Sequence, residues 1–362
     1  MNPDIPLYTA RRERLRALLR REHLSAILVS RPANRYYLSG FELRNPQENE
    51  SAGMLLVTAD GADLLFTDSR YRDSALRLWP EAGLRICRNN AAPLIGEAVS
   101  AYGATSLGLE TRSITLDFFD QCADVLSPLV EIRRTHGLVE ELRRIKSPDE
   151  LDRLREACAL NHAMFARLPC LALPGRSEAD VAWDIEKFFR EQGASETAFA
   201  TIVGRGSNAA LPHCIPGADL LRQDDLVLVD AGCRLRDYCS DQTRTLWIGG
   251  NPSARFRDAL HAVQEAQRRA IALIRPGVPC CEVFQAAWDH FAQLGVSDGF
   301  THGLGHGIGL ETHEEPGLNR ENTLPLAPGM VLTVEPALYD PDWGGVRWEY
   351  IAAVTEDGSH IL

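Results

Sequence analysis

The chain has 362 residues, a length that favours two domains, and its content of 45% hydrophobic and 24% charged residues is typical of a globular protein. Its formal net charge of −12 and its pI near 5.4 argue against nucleic-acid or anionic-membrane partners, which select basic surfaces. No apolar run approaches the roughly 18 residues of a membrane helix, and nine cysteines without a CxxC pair favour a reducing cytoplasm over a disulfide framework.

The N-terminal part of the sequence alternates between helical and strand-like patterns. It opens with a basic stretch that no apolar core follows, so it does not resemble a secretory signal. Residues 11–22 carry leucines at helical intervals, and strand-like segments come after them: AILVS, GMLLVTADG, ADLLFTD, LRICR and SLGLE. Helix-like stretches separate these segments. The alternation predicts an α/β domain with a mixed sheet over residues 1–140.

A capping box marks the start of a second domain, predicted over residues 147–362. Ser147 can cap a helix, Pro148 suits its first position, and Glu150 follows the serine by three residues. Further helices are predicted over residues 177–192, 254–274 and 281–294. Strand candidates lie between and after them: LVLVDAGC, YCSDQTRTLWIG, MVLTVEPALY and GVRWEYIAAVT. The second domain therefore reads as α+β, with four helices on a largely antiparallel sheet.

Four carboxylates stand in or beside these apolar strands. Asp230 ends one strand, where a charge is costly unless it is paired, and Asp241 follows eleven residues later beyond a segment that can fold as a hairpin. Glu335 and Glu349 repeat the arrangement around the turn-rich DPDWGG. Each acid alone could equally be an ion-pair partner. Together they would repel one another unless a cation neutralised them, so the four predict a metal site.

The segment HGLGHGIGLETHEEP, residues 302–316, is rich in glycine and histidine. Its glycines do not follow the G-x-G-x-x-G spacing of a dinucleotide loop. Glycines on either side of His306 permit close backbone approaches, which favours this histidine as a fifth ligand. One nitrogen among carboxylate oxygens suits Mn²⁺, Co²⁺ or Fe²⁺ better than a thiolate-held zinc. Two ions bridged by carboxylates would share a water of lowered pKa, which is the predicted nucleophile.

These motifs resemble the signature segments of the pita-bread metallopeptidases, specifically the aminopeptidase P and prolidase branch. The resemblance rests on DAGCRLRDYCSDQTRT, HGLGHGIGLETHEEP, TVEPALY and GVRWE. Two more segments, ILVSRPANRYYLSGF and RRIKSPDELDRLREA, resemble the N-terminal domain and the domain junction of that branch. The resemblance implies a creatinase-like domain over residues 1–140 and a catalytic pita-bread domain over 147–362. Methionine aminopeptidases lack such an N-terminal domain and match less well.

The resemblance implies a role for each candidate ligand of two divalent ions. Asp230 would bind one ion, His306 and Glu335 the other, and Asp241 and Glu349 would bridge them. Glu335 would also act as general base towards the attacking water. Mn²⁺ is the first expectation for the metal, with Co²⁺, Fe²⁺ or Zn²⁺ as alternatives.

On the substrate side, the resemblance singles out three histidines, an arginine and a tyrosine. His213 matches a substrate-side histidine of the family. His302 and His313 match residues that hold the scissile carbonyl and stabilise the oxyanion. Arg347 and Tyr339 occupy positions near the active site in that family.

Four further side chains are predicted near the site. Thr243 and Thr333 each lie two residues from a ligand, so their hydroxyls could hydrogen-bond carboxylates, although β-propensity explains them equally well. Cys214 replaces a glycine that the family usually has, which bears on the shape of the substrate pocket. Cys239 should share a strand face with Asp241 and could approach the metals, but a small buried cysteine without such a role is the favoured alternative.

The function implied by the resemblance is removal of the first residue from peptides with proline second, as in aminopeptidase P. Cleavage restricted to Xaa-Pro dipeptides, as in prolidase, is the alternative. The expected partners are short peptides and, by analogy, a second copy of the chain in a homodimer. A metal-free creatinase-like hydrolase or a non-catalytic binding module should lack some of the five ligands, and all five are present. Hydrolysis of organophosphates or other amides by the same metals stays open.

Overall fold

The computed structural model describes residues 5–47, 49–126, 128 and 130–362. The first four residues of the predicted N-terminal domain therefore lie outside the described part. The chain divides into two compact units, Met1–Arg143 and Arg144–Leu362. Both contain helices and sheets, which confirms the predicted α+β class.

The N-terminal unit is built on a six-stranded sheet in the order β4-β3-β2-β1-β5-β6. Its strands are β1 Ala26–Val29, β2 Met54–Thr58, β3 Asp63–Asp68, β4 Leu84–Cys87, β5 Ser106–Glu110 and β6 Glu131–Thr135. Its helices are α1 Ile5–Arg21, α2 Pro32–Ser39, α3 Arg72–Leu76, α4 Ala92–Ala101, α5 Leu116–Val125 and α6 Leu138–Arg143. The central strand β1 pairs antiparallel with β2 and parallel with β5, so the sheet is mixed, as predicted.

The apolar pattern explains most elements of this unit. Leu15 and Leu19 of α1 are fully buried, as their helical spacing predicts, although the helix begins six residues earlier than expected. All four residues of β1 are buried, which fits a central strand covered on both faces. The edge strand β6 was not predicted, because its sequence EIRRT has no apolar alternation.

The C-terminal unit contains the four predicted helices. They are α7 Pro148–Leu171, α8 Glu178–Glu191, α9 Ala254–Leu273 and α10 Cys280–Gln293. The capping box at the start of α7 is formed, because the Ser147 hydroxyl accepts a hydrogen bond from the Glu150 amide at 3.4 Å and the Glu150 carboxylate accepts one from the Ser147 amide at 2.9 Å.

The strands of this unit form several small sheets, and every pairing among its described strands is antiparallel. The strands are β7 Glu196–Thr197, β8 Ile202–Arg205, β9 Asp225–Ala231, β10 Cys233–Leu235, β11 Tyr238–Cys239, β12 Gln242–Ile248, β13 Gly305–Gly307, β14 Glu314–Leu318, β15 Val331–Val334, β16 Ala337–Asp340, β17 Gly344–Arg347, β18 Tyr350–Val354 and β19 Ser359–Ile361. Their orders are β11-β10-β7, β12-β9-β8, β14-β13-β15-β18-β19 and β16-β17.

Strand β9 separates two hydrophobic cores. Val227 and Val229 point into a core shared with α7 and α8. Leu226 and Leu228, on the opposite face, point into a core shared with α9 and α10. Because both faces are covered, the strand reads as a continuous apolar run, and Asp230 is the first charge at its end.

The cysteines and the hydropathy of the helices bear on the predictions made from composition. All nine cysteines lie in the described part of the chain and are free thiols, and only Cys170 among them is exposed. Burial raises the pKa of the Cys122 and Cys280 thiols to about 11. No helix among the described residues has the length and hydropathy needed to span a membrane.

Candidate metal centre

The predicted hairpin between Asp230 and Asp241 forms, but the two aspartates do not lie directly opposite each other. Strand β9 pairs with β12 so that Asp230 lies opposite Thr243. The chain between them makes a smaller hairpin from β10 and β11, with Arg236 and Asp237 at positive φ in its turn. Asp241 precedes β12, and both aspartates reach one cavity.

The two glutamates come from a second pair of strands. Glu335 directly follows β15, and Glu349 directly precedes β18, which pairs with β15. Their amides tie them to the neighbouring segments, since Glu335 donates to the Leu304 carbonyl at 2.8 Å and Glu349 donates to the Thr243 carbonyl at 3.2 Å. The second hydrogen bond links this strand pair to β12.

His306 lies in β13, where the backbone passes very close to β15. A Cβ on Gly305 would lie 1.9 Å from the Thr333 carbonyl oxygen, so this position requires glycine. The His306 amide donates to the Thr333 hydroxyl at 3.0 Å. The glycines that flank His306 therefore allow close packing of β13 against β15, and this packing fixes the histidine.

The His306 ring points its Nε2 atom at two carboxylates. Nε2 lies 3.7 Å from Asp241 Oδ2 and 3.4 Å from Glu335 Oε1. Burial lowers the pKa of His306 to about 4, so the ring is neutral near pH 7. Its Nδ1 lies 3.0 Å from the Gly307 carbonyl, and we assign the proton to Nδ1, which leaves the Nε2 lone pair for a cation.

The five candidate ligands have the chemistry of a cation site. Ligand atoms of Asp241, His306 and Glu349 all lie within 4.8 Å of one another. Asp230 Oδ1 and Glu349 Oε1 are buried and have no hydrogen-bond partner among the described residues. Burial and then neighbouring carboxylates raise the pKa of Asp241 and Glu349 well above their usual range, and burial raises the pKa of Glu335 to about 8. Divalent ions would neutralise this excess of negative charge, so the residues fit a metal centre.

Two threonine hydroxyls orient carboxylates of this cluster. The Thr243 hydroxyl donates to Glu349 Oε2 at 2.8 Å and accepts from Arg347 Nε at 2.9 Å. The Thr333 hydroxyl lies 3.4 Å from Glu335 Oε1. The hydrogen bonds expected from the sequence are therefore present, and they hold the glutamates from outside the cluster.

Arg347 connects Asp230 to the predicted substrate side. Its guanidinium donates to Asp230 Oδ2 at 2.7 Å and to the Tyr339 hydroxyl at 2.5 Å. That hydroxyl lies 3.2 Å from His302 Nε2, and His302 Nδ1 lies 2.6 Å from the Gly303 carbonyl. Both ring nitrogens of His302 thus have protein partners. Burial lowers its pKa to about 4, which keeps the ring neutral.

A cavity of about 460 Å³ opens over the cluster. All the candidate ligands except the deeply buried Glu349 line it, together with the predicted residues His213, His302, His313 and Arg347. The rest of the lining, which we call the apolar wall, includes Phe199, Ile202, Pro212, Cys214, Ile215 and Pro216. The cavity therefore combines an apolar lining with a charged one, which we call the charged wall.

Sequence reasoning found the charged wall and, apart from Cys214, missed the apolar one. Ile215 is 88% exposed at the cavity. The available signal in the sequence was an apolar residue two positions after His213. Cys214 lines the cavity, as its position beside His213 suggested. Cys239 does not line it, and its Sγ lies 3.9 Å from the Leu310 carbonyl.

Comparisons with known proteins match both parts of the chain. Residues 152–356 match metallopeptidase family M24, and residues 11–145 match the creatinase/prolidase N-terminal domain. The Xaa-Pro dipeptidase of Pyrococcus horikoshii is 30% identical over 94% of this chain and 92% of its own. A solved Xaa-Pro dipeptidase from Bacillus anthracis has a TM-score of 0.90 at 32% identity and covers 98% of this chain and 97% of its own. A solved X-Pro aminopeptidase from Thermotoga maritima has a TM-score of 0.82 at 28% identity, over 94% and 95%.

Proposed function

Because this chain belongs to metallopeptidase family M24, we propose that it hydrolyses the Xaa-Pro bond of dipeptides with divalent metal ions. The observation that carries the proposal is the cluster of four carboxylates and one neutral histidine, all but Glu349 lining one cavity. Two buried carboxylate oxygens of this cluster have no hydrogen-bond partner among the described residues. Family membership makes the chain a metallopeptidase. The metal ligands, the substrate and the roles below are our proposal.

We assign the metals to five ligands: Asp230, Asp241, His306, Glu335 and Glu349. Bound divalent ions would supply Lewis-acid activation of the carbonyl and of a water nucleophile. An oxygen-rich site with one imidazole suits Mn²⁺, and Co²⁺, Fe²⁺ or Zn²⁺ can occupy the same ligands. This assignment is supported by the neutral state of His306 and by one oxygen each of Asp230 and Glu349 that no described residue hydrogen-bonds.

Glu335 is the residue we assign to proton transfer. Its side chain is 18% exposed and lines the cavity, whereas Glu349 is only 1% exposed. A carboxylate that faces the substrate can take a proton from water and pass it to the leaving nitrogen. The nitrogen of an Xaa-Pro bond belongs to a tertiary amide, and it must be protonated as the bond breaks.

Substrate binding would use both walls of the cavity. The proline ring would lie against the apolar wall that contains Phe199 and Ile202, and His213 and His313, which line the same cavity, would hold the carbonyl. The fixed hydrogen bonds of His302 suit it to supporting Tyr339 and Arg347.

Because this chain is similar to Xaa-Pro dipeptidases, we propose dipeptides as its first class of substrates. The likeness to an X-Pro aminopeptidase keeps cleavage of longer peptides as a second candidate, and this is the activity that the sequence motifs favoured.

The test is metal removal followed by reconstitution. The protein is stripped with a chelator, dialysed, and supplied separately with Mn²⁺, Co²⁺ or Zn²⁺, and each form is assayed on Ala-Pro, Ala-Pro-Ala and Ala-Ala. We expect Ala-Pro turnover that disappears with the metal and returns with it. Turnover of the tripeptide would choose the aminopeptidase. Activity that survives complete metal removal, or cleavage of Ala-Ala alone, would refute the proposal.

A further inference from the structure

A buried ion pair lies in the C-terminal unit beside the loop that joins β13 to β14. Lys146 Nζ lies 3.1 Å from Glu314 Oε2, and the two side chains are 1% and 5% exposed. Burying two charges costs desolvation free energy that their attraction often does not recover. An apolar pair could fill the same volume, so the retained charges point to contacts that an apolar pair could not make.

The Glu314 carboxylate occupies the inside of that loop, residues 308–313, which we call the histidine loop. Its Oε1 accepts the Glu311 amide at 3.1 Å. A Cβ on Gly309 would lie 2.8 Å from both carboxylate oxygens, so the loop closes directly around the carboxylate. Other hydrogen bonds hold the outside of the loop, since the Gly309 carbonyl accepts from the Cys239 amide at 2.8 Å and the Leu310 carbonyl from Arg234 at 2.6 Å. The Glu314 carboxylate is the contact that holds it from within.

The histidine loop in turn contacts the candidate metal ligand. The backbone of Thr312 approaches the His306 ring and acts to raise its pKa, as does the Gly307 carbonyl, which lies 3.0 Å from Nδ1. His313 ends the loop, and its ring centroid lies 4.3 Å from that of His306 in an edge-to-face arrangement. A shift of the loop would therefore rotate the His306 ring and move His313 within the cavity.

Lys146 is fixed independently of the loop. Its amide donates to the Gly329 carbonyl at 2.9 Å, and the next residue, Ser147, caps α7. Its ammonium therefore reaches Glu314 from an anchored backbone. The neighbouring pair, Arg144 with Glu315, is 2.7 Å long but more exposed, at 18% and 38%. Because successive strand residues point to opposite faces, Glu315 points away from the loop interior.

We propose that Lys146 and Glu314 are positioning residues that fix the histidine loop, and through it the metal-binding orientation of His306 and the position of His313. This inference rests on the proposed ligand role of His306. It predicts that the pair controls metal affinity and substrate binding more than it controls stability.

The main variant is the double substitution Lys146→Met/Glu314→Leu, which removes both charges and avoids leaving one buried and unpaired. We expect Co²⁺ affinity, measured by titrating the metal-free protein and following the visible Co²⁺ absorption, to fall by about 10–100-fold, as for loss of groups that orient metal ligands. At saturating Co²⁺, kcat on Ala-Pro should return to the parent value, because metal binding restores the orientation of His306. KM should stay higher than in the parent, because metal binding does not restore the position of His313.

The matched control is Arg144→Met, which removes the exposed neighbouring pair and should leave Co²⁺ affinity and KM close to the parent. A second readout uses the metal-free protein with ¹⁵N-labelled histidine. The imidazole resonances of His306 and His313, assigned with His313→Gln, should move in the double variant and stay in place in the control. This readout works whether or not the metal proposal holds.

Parental Co²⁺ affinity, KM and imidazole resonances in the double variant would overturn this inference and leave the proposed function standing. A parent protein that neither binds Co²⁺ nor cleaves Ala-Pro would overturn the proposed function and the metal-positioning role with it. Equal effects in the double variant and in Arg144→Met would show a general loss of structure and would also overturn the inference.

Discussion

Each unit of the molecule buries several arginines, and two of them, Arg35 and Arg347, have opposite surroundings. Arg35 in the N-terminal unit is fully buried and donates to the backbone carbonyls of Phe41, Glu42 and Gly53. Burial lowers its pKa to about 10. Arg347 in the C-terminal unit is 3% exposed and faces Asp230 and other acids. Burial alone would lower its pKa, but Tyr339 and those acids raise it.

This difference in surroundings distinguishes an arginine that stabilises the fold from an arginine that lies in the candidate metal centre. The hydrogen bonds of Arg35 go to carbonyl oxygens of the segment after α2, including the Asn45 side chain, so its charge serves to hold that segment in place. Arg347 meets more carboxylates than it can neutralise, and two of their oxygens have no hydrogen-bond partner in the described part of the chain. A buried cation is therefore a poor sign of function by itself, and the surplus of opposite charge around it is the informative feature.

The largest effect should follow removal of one carboxylate from that surplus. We expect Asp241→Asn to lower kcat/KM on Ala-Pro by well over 100-fold, because even groups that only orient metal ligands are worth about 10–100-fold. Mn²⁺ binding by calorimetry and the Ala-Pro assay would measure it. Near-parental activity with Mn²⁺ bound would remove Asp241 from the ligand set.

The same variant should not weaken the metal-free fold. The pKa of Asp241 is raised in the folded protein, so ionising it costs stability as the pH rises above its usual value of 3.8. Replacing it by asparagine removes that cost. We expect the metal-free midpoint in urea at pH 8 to equal or exceed the parent's, and a lower midpoint would contradict the electrostatic account.

The two arginines themselves give the next largest effect. Arg35→Met should cost about 3 kcal/mol, because it leaves buried carbonyls unpaired. Arg347→Met should cost a similar amount in the metal-free protein, because it leaves Asp230 uncompensated. Added Mn²⁺ should shrink the Arg347 effect and leave the Arg35 effect unchanged. Urea unfolding with hydrogen exchange of β2 and β15 would follow each unit.

If Mn²⁺ rescued Arg35→Met as fully as Arg347→Met, the distinction between the two arginines would fail. Equal losses that Mn²⁺ does not change would also count against it.

A smaller effect is expected at Thr243, which links Arg347 to Glu349. Thr243→Val keeps the shape and removes the hydroxyl, so Mn²⁺ affinity should fall by about 10-fold. Thr245→Val is the control, because the Thr245 hydroxyl contacts only the Arg347 backbone. Similar affinities for both variants would show that the hydroxyl does not orient Glu349.

The smallest effect should come from the helix caps. Ser147→Ala and Ser177→Ala each remove a capping box and should cost about 1 kcal/mol in urea unfolding. Neither serine contacts the candidate ligands, so Mn²⁺ affinity should not change. An affinity loss in either variant would mean that helix position, in addition to charge, controls the site.

The candidate site was largely predictable from sequence because it depends on strand patterns and spacing. Asp230 ends an apolar strand, Asp241 lies one hairpin away, and Gly305 marks a close strand approach. The pattern could not give the register, since the small β10–β11 hairpin sets Asp230 opposite Thr243. Register depends on where the turn falls, which apolar alternation does not fix.

Features that depend on distant contacts were missed. The strand β6 is charged and forms because β5 offers it a parallel edge. Lys146 and Glu314 are 168 residues apart, and no local pattern pairs them. Propensity and periodicity describe neighbours in sequence, so contacts of this kind need the folded chain.

The burial of the thiols offers a practical use. Cys170, in the last turn of α7, is the exposed cysteine of the described chain, and it does not line the cavity. Most of the others are buried, and several have raised pKa values that keep them protonated and unreactive. A maleimide dye added in equimolar amount should therefore attach at one place, giving a fluorescent or surface-tethered protein without engineering.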